Sequence, residues 1–439
     1  MRFCQWAPLL LVSLACTAHS DGEESDTKEA VPKRVQLANG LTAIVRPIEG
    51  AKEIAMVVLY KVGGDHDPEG RSGMAHLIEH VYITGAAGTG QSRTAKEFFG
   101  RYRSGCNAQT GDRYTVVATV FPQADLNEEL REAAARMGDL RLTALDLDRE
   151  RPRVLDEVAN MFGRIPSLGA LNQARELIRP TPQGGRKGGR PEHLSAITLD
   201  EVRLRYESFY KPRNAILVLA GGIDPATAVA SIEESFAKLP SGQEIPPPAE
   251  PGPPKFGASQ ELAVGHPQAQ PEVCLAYKAP DPASDLYAPF LVLVSRLWTG
   301  SSKLDGEPGR NPIHFPVLDD PAVLSVTARL KRGETHRQTR DRLENFVAEA
   351  AKPALGPNEA AAAQQTFGFF LGTASLPDAL LMTNLYGVAF SLARREQSGI
   401  DSARLTQALG TVTEQDLRRA AKEIFAHDRS AAALITKNP

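Results

Sequence analysis

The sequence predicts an α+β chain of two homologous α/β sandwich domains, each a mainly antiparallel sheet with helices on one face. Three observations lead there. The 439 residues, 42% hydrophobic and 23% charged, have the length and composition of two or three ordinary globular domains. Proline dominates residues 240–254, a linker between a domain over 34–239 and another over 255–439. The two halves also end alike. Thr198 opens a helix that runs to Phe209-Tyr210, and Thr413 opens one that runs to Ile424-Phe425; a turn and a strand follow each. Thr198 and Thr413, like Tyr210 and Phe425, lie 215 residues apart, as an internal duplication requires.

Residues 1–20 read as a signal peptide. Arg2 is the positive end, Ala7 to Ala15 form the apolar run, and small residues follow. The mature protein is then exported, periplasmic or secreted. The alternative is a lipid anchor at Cys16, the only route to a membrane, since no later stretch is long and apolar enough to span one. Residues 21–33 are polar, acidic and expected to be disordered.

Order begins near Arg34. Two strands flank the Asn39-Gly40 turn, and Ile54 to Val62 is an apolar run suited to a strand buried on both faces. Gly73 to Tyr82 and Ala95 to Phe99 look helical, and Tyr114 to Val120 is a β-branched strand. Residues 125–141 and 148–162 repeat apolar positions at three and four, as helices do. A capping box at Thr198 to Glu201, a strand over Ala215 to Gly221 and a helix over Ala226 to Lys238 complete the first half. The basic, glycine-rich stretch 184–190 reads as a loop. A net charge of −3 without clustered Lys and Arg excludes nucleic acid as a partner. Cys106 and Cys274 sit in different halves and are too few for a cysteine-based metal site.

The chemistry lies in His76-Leu77-Ile78-Glu79-His80. On a helix, residues at i, i+3 and i+4 share one face. Two imidazoles one turn apart can hold a tetrahedral Zn²⁺, and the carboxylate between them can act as general base toward a water. Met74, Ala75, Leu77, Ile78 and Val81 make this helix apolar, so its polar residues need a reason to be there. A third ligand must come from elsewhere. Glu150 and Glu157, seven residues apart, are candidates on one helical face if Pro152 falls near the helix start.

With these residues the sequence resembles the pitrilysin/insulinase-type metallopeptidases, which include mitochondrial processing peptidase and compact bacterial relatives. Their pattern is His-x-x-Glu-His with a glutamate ligand about 77 residues past the second histidine and another glutamate seven residues before that ligand. Glu157 lies 77 residues past His80 and seven past Glu150. Asn39-Gly40-Leu41, Gly105-Cys106-Asn107-Ala108-Gln109-Thr110 and Tyr210-Lys211-Pro212-Arg213-Asn214-Ala215 match further family segments. The resemblance implies His76, His80 and Glu157 as zinc ligands, Glu79 as general base and Glu150 as a supporting carboxylate. It implies Asn107 and Ala108 on an edge strand where a substrate peptide adds as a further strand. The activity implied is zinc-dependent endopeptidase action on extended or unfolded polypeptides.

The second half lacks His-x-x-Glu-His, as the family's inactive domain does. It also lacks that domain's Arg-Glu...Gly-Leu-x-Tyr segment: around Ser301 to Phe315 no such pattern occurs, and no tyrosine lies between Tyr287 and Tyr386. Two alternatives therefore stand beside the peptidase. The chain can be a catalytic subunit that pairs, as a homodimer or with a homologous non-catalytic subunit, to grip substrate. Or it can be a non-enzymatic peptide-binding or assembly subunit.

Overall fold

The computed structural model describes residues 31–102, 104–164, 166–182, 188–264, 270–305, 310–319, 322–371 and 381–437. The expected signal peptide, Cys16, and most of the 21–33 segment and of the 184–190 loop lie outside these residues. Order begins one residue earlier than expected, with β1 at Lys33.

In the first half the strands are β1 (Lys33–Gln36), β2 (Thr42–Pro47), β3 (Glu53–Tyr60), β4 (Ala86–Ala87), β5 (Cys106–Thr110), β6 (Thr115–Pro122), β7 (Leu140–Arg141) and β8 (Ala215–Gly221). The helices are α1 (Met74–Thr84), α2 (Ala95–Arg101), α3 (Leu126–Gly138), α4 (Ala144–Arg164), α5 (Pro166–Ile178), α6 (Pro191–Ala196), α7 (Leu199–Phe209) and α8 (Pro225–Phe236). The second half has strands β9 (Ser259–Val264), β10 (Glu272–Lys278), β11 (Ile313–His314), β12 (Val323–Arg329) and β13 (Ser430–Lys437). Its helices are α9 (Tyr287–Gly300), α10 (Ser302–Asp305), α11 (His336–Ala350), α12 (Glu359–Leu371), α13 (Leu385–Ser398), α14 (Ser402–Gly410) and α15 (Glu414–Ile424).

The expected α+β architecture is present, and the two sheets repeat one topology. The first runs β1-β2-β8-β3-β6-β5 and the second β9-β13-β10-β12-β11, read from the same end. In both, one parallel pair (β2 with β8, β9 with β13) is followed by antiparallel pairs. The register agrees with the 215-residue repeat: Ala215 pairs with Tyr60, and Ser430 with Tyr277.

Strand alternation separates the faces. Ile54, Met56, Val58 and Tyr60 of β3 point into the core beneath α1, α3, α4, α7 and α8. Ala55, Val57 and Leu59 point the other way, onto Leu385, Val388, Ala389 and Leu392 of α13. The second sheet mirrors this. Val273, Leu275 and Tyr277 meet the helices of their own half, while Cys274 and Ala276 meet Ala170, Ala174 and Leu177 of α5. Each half therefore covers one face of its sheet and borrows a single helix from the other half for the opposite face. Residues 240–254 carry no helix or strand.

Candidate metal centre

Helix α1 starts at Gly73, whose φ of 90° suits glycine. Asp67 fixes that start: its carboxylate accepts from Gly73 N at 2.8 Å and Ala75 N at 2.9 Å, satisfying backbone donors that a helix leaves unpaired. His76 and Glu79 are buried within the apolar helix, and His80 is half-buried. Helix α4 opens on a reciprocal cap. Thr143 Oγ1 accepts from Asp146 N at 3.2 Å, and Asp146 Oδ2 accepts from Thr143 N at 3.0 Å. The helix therefore begins well before Pro152, which lies inside it rather than near its start. Glu150 and Glu157 still share a face, because seven residues are close to two turns.

Against α1, that face brings His76, His80 and Glu157 together. His76 Nε2 lies 3.7 Å from Glu157 Oε1, and His80 Nε2 lies 3.4 Å from Glu157 Oε2. One ligand atom from each residue falls within 4.8 Å of the others, the only such group of three His, Cys, Asp or Glu side chains among the described residues. A tetrahedral zinc with arms of roughly 2.0–2.1 Å spaces its ligand atoms by about 3.4 Å, so two imidazoles and this carboxylate fit the ion and leave a fourth position open.

Further contacts hold the donors. The Gly188 carbonyl lies 3.4 Å from His76 Nδ1. Gly188 has a φ of 80°, and a Cβ there would come within 2.8 Å of Val158, so this approach suits glycine. Glu150, fully buried, lies 3.5 Å from His80 Nδ1 and accepts from Arg149 Nε at 2.9 Å and Arg153 Nη1 at 3.0 Å. Burial disfavours charge on His80, but the Glu150 and Glu157 carboxylates outweigh it and push the imidazole up to about 10. The same pairing holds Glu157 below the usual carboxylate range against its own burial. The pocket thus draws positive charge, which a divalent cation supplies.

Glu79 differs. Burial raises its pKa, opposed by the two histidines and by Thr110, whose hydroxyl donates to Glu79 Oε2 at 2.7 Å. A buried carboxylate of raised pKa beside a cation site is suited to taking a proton. Asn107 and Ala108 lie on β5, which pairs only with β6 and so forms the edge of its sheet. Thr110 ends the same strand, which joins that edge to Glu79. Cys106 and Cys274 are both free thiols.

Sequence reasoning quoted Thr110 within a motif without giving it a role, and it missed Gly188, Arg149 and Arg153. The glycine run around Gly188 and the arginines one before and three after Glu150 were the available signals.

Residues 196–305 match a family model described as the peptidase M16 inactive domain; His76 to Glu157 lie outside the match. Over 294 residues the chain is 27% identical to the zinc protease PqqE of Helicobacter pylori, covering 64% of this chain and 62% of that protein. It is 24% identical over 212 residues to an uncharacterized zinc protease of Rickettsia bellii, covering 48% and 50%. It is 24% identical over 219 residues to the probable zinc protease PqqL of Escherichia coli, covering 47% and 23%. These matches span less than two thirds of each relative. Among solved structures, a protease from Helicobacter pylori aligns with a TM-score of 0.75 at 20% identity over 93% of this chain and 100% of that one. Pitrilysin aligns with a TM-score of 0.67 at 15% identity over 94% and 46%. At these identities the structures bear on the fold. No described helix is long and apolar enough to cross a membrane.

Proposed function

This chain belongs to the M16 family of pitrilysin/insulinase-type peptidases, and we propose that it is an exported, zinc-dependent endopeptidase acting on extended or unfolded polypeptides. The observation that carries the reading is the convergence of His76, His80 and Glu157 beside a buried Glu79. When held by those three residues, Zn²⁺ supplies a Lewis acid that acidifies water and polarises a peptide carbonyl. Glu79 takes the proton from the attacking water and returns it to the departing amine. Thr110 keeps the Glu79 carboxylate oriented while it does so. Glu150, itself fixed by two arginines, holds His80 in its ring orientation. The open side of β5 receives the peptide as an added strand, with backbone groups around Asn107 and Ala108 providing grip and little side-chain selectivity.

The reading is tested by incubating the purified chain with an unstructured peptide. Cleavage that a chelator stops and zinc restores is the expected result; intact peptide under zinc-replete conditions sinks it.

One observation favours pairing with a second chain. The second half lacks an Arg...Tyr substrate segment, and the PqqL and pitrilysin structures are about twice as long, this chain covering 48% and 46% of them. A homodimer or a homologous non-catalytic partner would supply the missing half. Activity that rises with protein concentration or with an added partner supports this; full activity from a monomer excludes it.

A further inference from the structure

Helix α13 belongs to the second half, yet one stripe of it lies along the β5–β6 hairpin of the first. Tyr386, Phe390, Arg394 and Gln397 recur at intervals of four, four and three, which is one face of a helix. Asn107 Nδ2 donates to the Tyr386 hydroxyl at 3.0 Å. Phe390 stacks on Tyr386 with 5.8 Å between centroids and meets Tyr114 edge-on at 6.1 Å. The Arg394 guanidinium sits 4.0 Å over the Tyr114 ring and is tied to the Leu318 carbonyl at 2.9 Å. Gln397 Nε2 donates to the Arg113 carbonyl at 2.8 Å, in the turn between the two strands.

The hairpin passes these contacts along. Gln109 Nε2 donates to the Tyr114 hydroxyl at 2.9 Å, and Asn107 Nδ2 also reaches Gln109 Oε1 at 3.3 Å. Asn107 and Gln109 thus point toward α13, while Cys106 and Ala108 pack into the core on the other face. Thr110, in step with these two, reaches Glu79. Helix α5, which packs on the second sheet, grips the same turn through Arg175 and Arg179, both paired with Asp112. An edge strand paired on one side only takes its position from such supports.

We propose that Tyr386, acting with Arg394 and Gln397, positions the β5 edge for an added peptide strand, so that the second half sets how tightly the first half holds substrate. This rests on the reading of β5 as the peptide-binding edge. Tyr386 is a positioning residue: it acts through Asn107.

The test compares the full zinc-loaded chain with its Tyr386→Phe variant, using an unstructured fluorogenic peptide and hydrogen exchange. Loss of one hydrogen bond should raise KM about 3- to 10-fold while kcat stays within about twofold. Amides across residues 106–110 should exchange faster, while those of β3 and β8 stay unchanged. Gln397→Ala, at the far end of the stripe, should shift KM and exchange in the same direction, and it decides the matter if Tyr386→Phe folds poorly. An unchanged KM, a loss confined to kcat, or unchanged exchange over 106–110 overturns the proposal. If the wild-type chain cleaves nothing, the peptidase reading fails on its own, and affinity for the same peptide by fluorescence anisotropy replaces KM. Weaker binding by the variant then upholds the positioning role, and equal binding overturns it.

Discussion

The Thr110 hydroxyl donates a 2.7 Å hydrogen bond to Glu79 Oε2, so one side chain connects the edge strand to the carboxylate beside the cation site. A hydrogen bond to a charged group is worth about 1.5–3 kcal/mol. Thr110→Val, nearly the same shape, should therefore lower kcat roughly 10- to 100-fold. Thr110→Ser, which keeps the hydroxyl, should recover most of it. Steady-state kinetics on the two variants decide this; equal rates for valine and threonine would remove Thr110 from any role in orienting Glu79.

Glu79→Gln separates chemistry from metal binding. Glu79 is not among the three clustered donors, so the variant should retain about one zinc per chain by native mass spectrometry. Its kcat should fall roughly 10²- to 10⁴-fold, the span typical of losing a general base. Wild-type turnover in this variant would exclude Glu79 as the base.

The two glutamates of α4 should differ in kind. Glu157→Ala removes a donor and should abolish stoichiometric zinc. Glu150→Gln leaves all three donors and should weaken zinc binding by about 10- to 100-fold, as the loss of a group that orients a ligand does. Competition against a chromogenic chelator measures both. Identical losses in the two variants would contradict the division of roles.

Chelator and pH should act together. His80 is raised to about 10 from an ordinary value of 6.5. In chelator-treated protein its contribution to stability is complete below pH 6.5 and disappears as pH rises through about 10. Glu157 is lowered from 4.5, so its contribution is present above that value and disappears as pH falls. Denaturant titrations should show chelated protein losing stability between pH 7 and 10, while zinc-loaded protein, with His80 already deprotonated by the ion, loses less. Zinc binding at pH 7 should release a proton, visible as a dependence of binding heat on the buffer's ionisation enthalpy. Zinc binding at pH 7 without proton release would contradict the His80 shift.

Parts of this were legible in the sequence because they are local. The Ile54 to Val62 run is apolar without alternation, and β3 is indeed covered on both faces. His76, Glu79 and His80 declare themselves by helical spacing alone. Helix α4 was expected in place, but its Thr143 cap lies upstream of the expected start, so Pro152 falls inside it. The crossing helices were missed. The surface that receives α5 is Cys274, Ala276, Ala431 and Ala433, and alanine stripes give little hydrophobic contrast to read. What α5 and α13 cover also lies in the other half of the chain, beyond any sequence window. The Thr110–Glu79 bond spans 31 residues, and Gly188 approaches His76 from 112 residues away; neither separation carries a periodic signal.

The exchange of α5 and α13 has a history built into it. Both follow the same point in the repeat, and each packs on the strands that correspond to the other's target: α5 on β10 and β13, α13 on β3 and β8. That is the geometry of a domain-swapped dimer whose two copies have been fused through a proline-rich connector. A single ancestral repeat would have had a bare sheet face, and another copy of itself was the available cover. Gene fusion then turned a concentration-dependent association into an intramolecular one. It also freed the two copies to diverge, so that the zinc donors could remain on one while the other became its support.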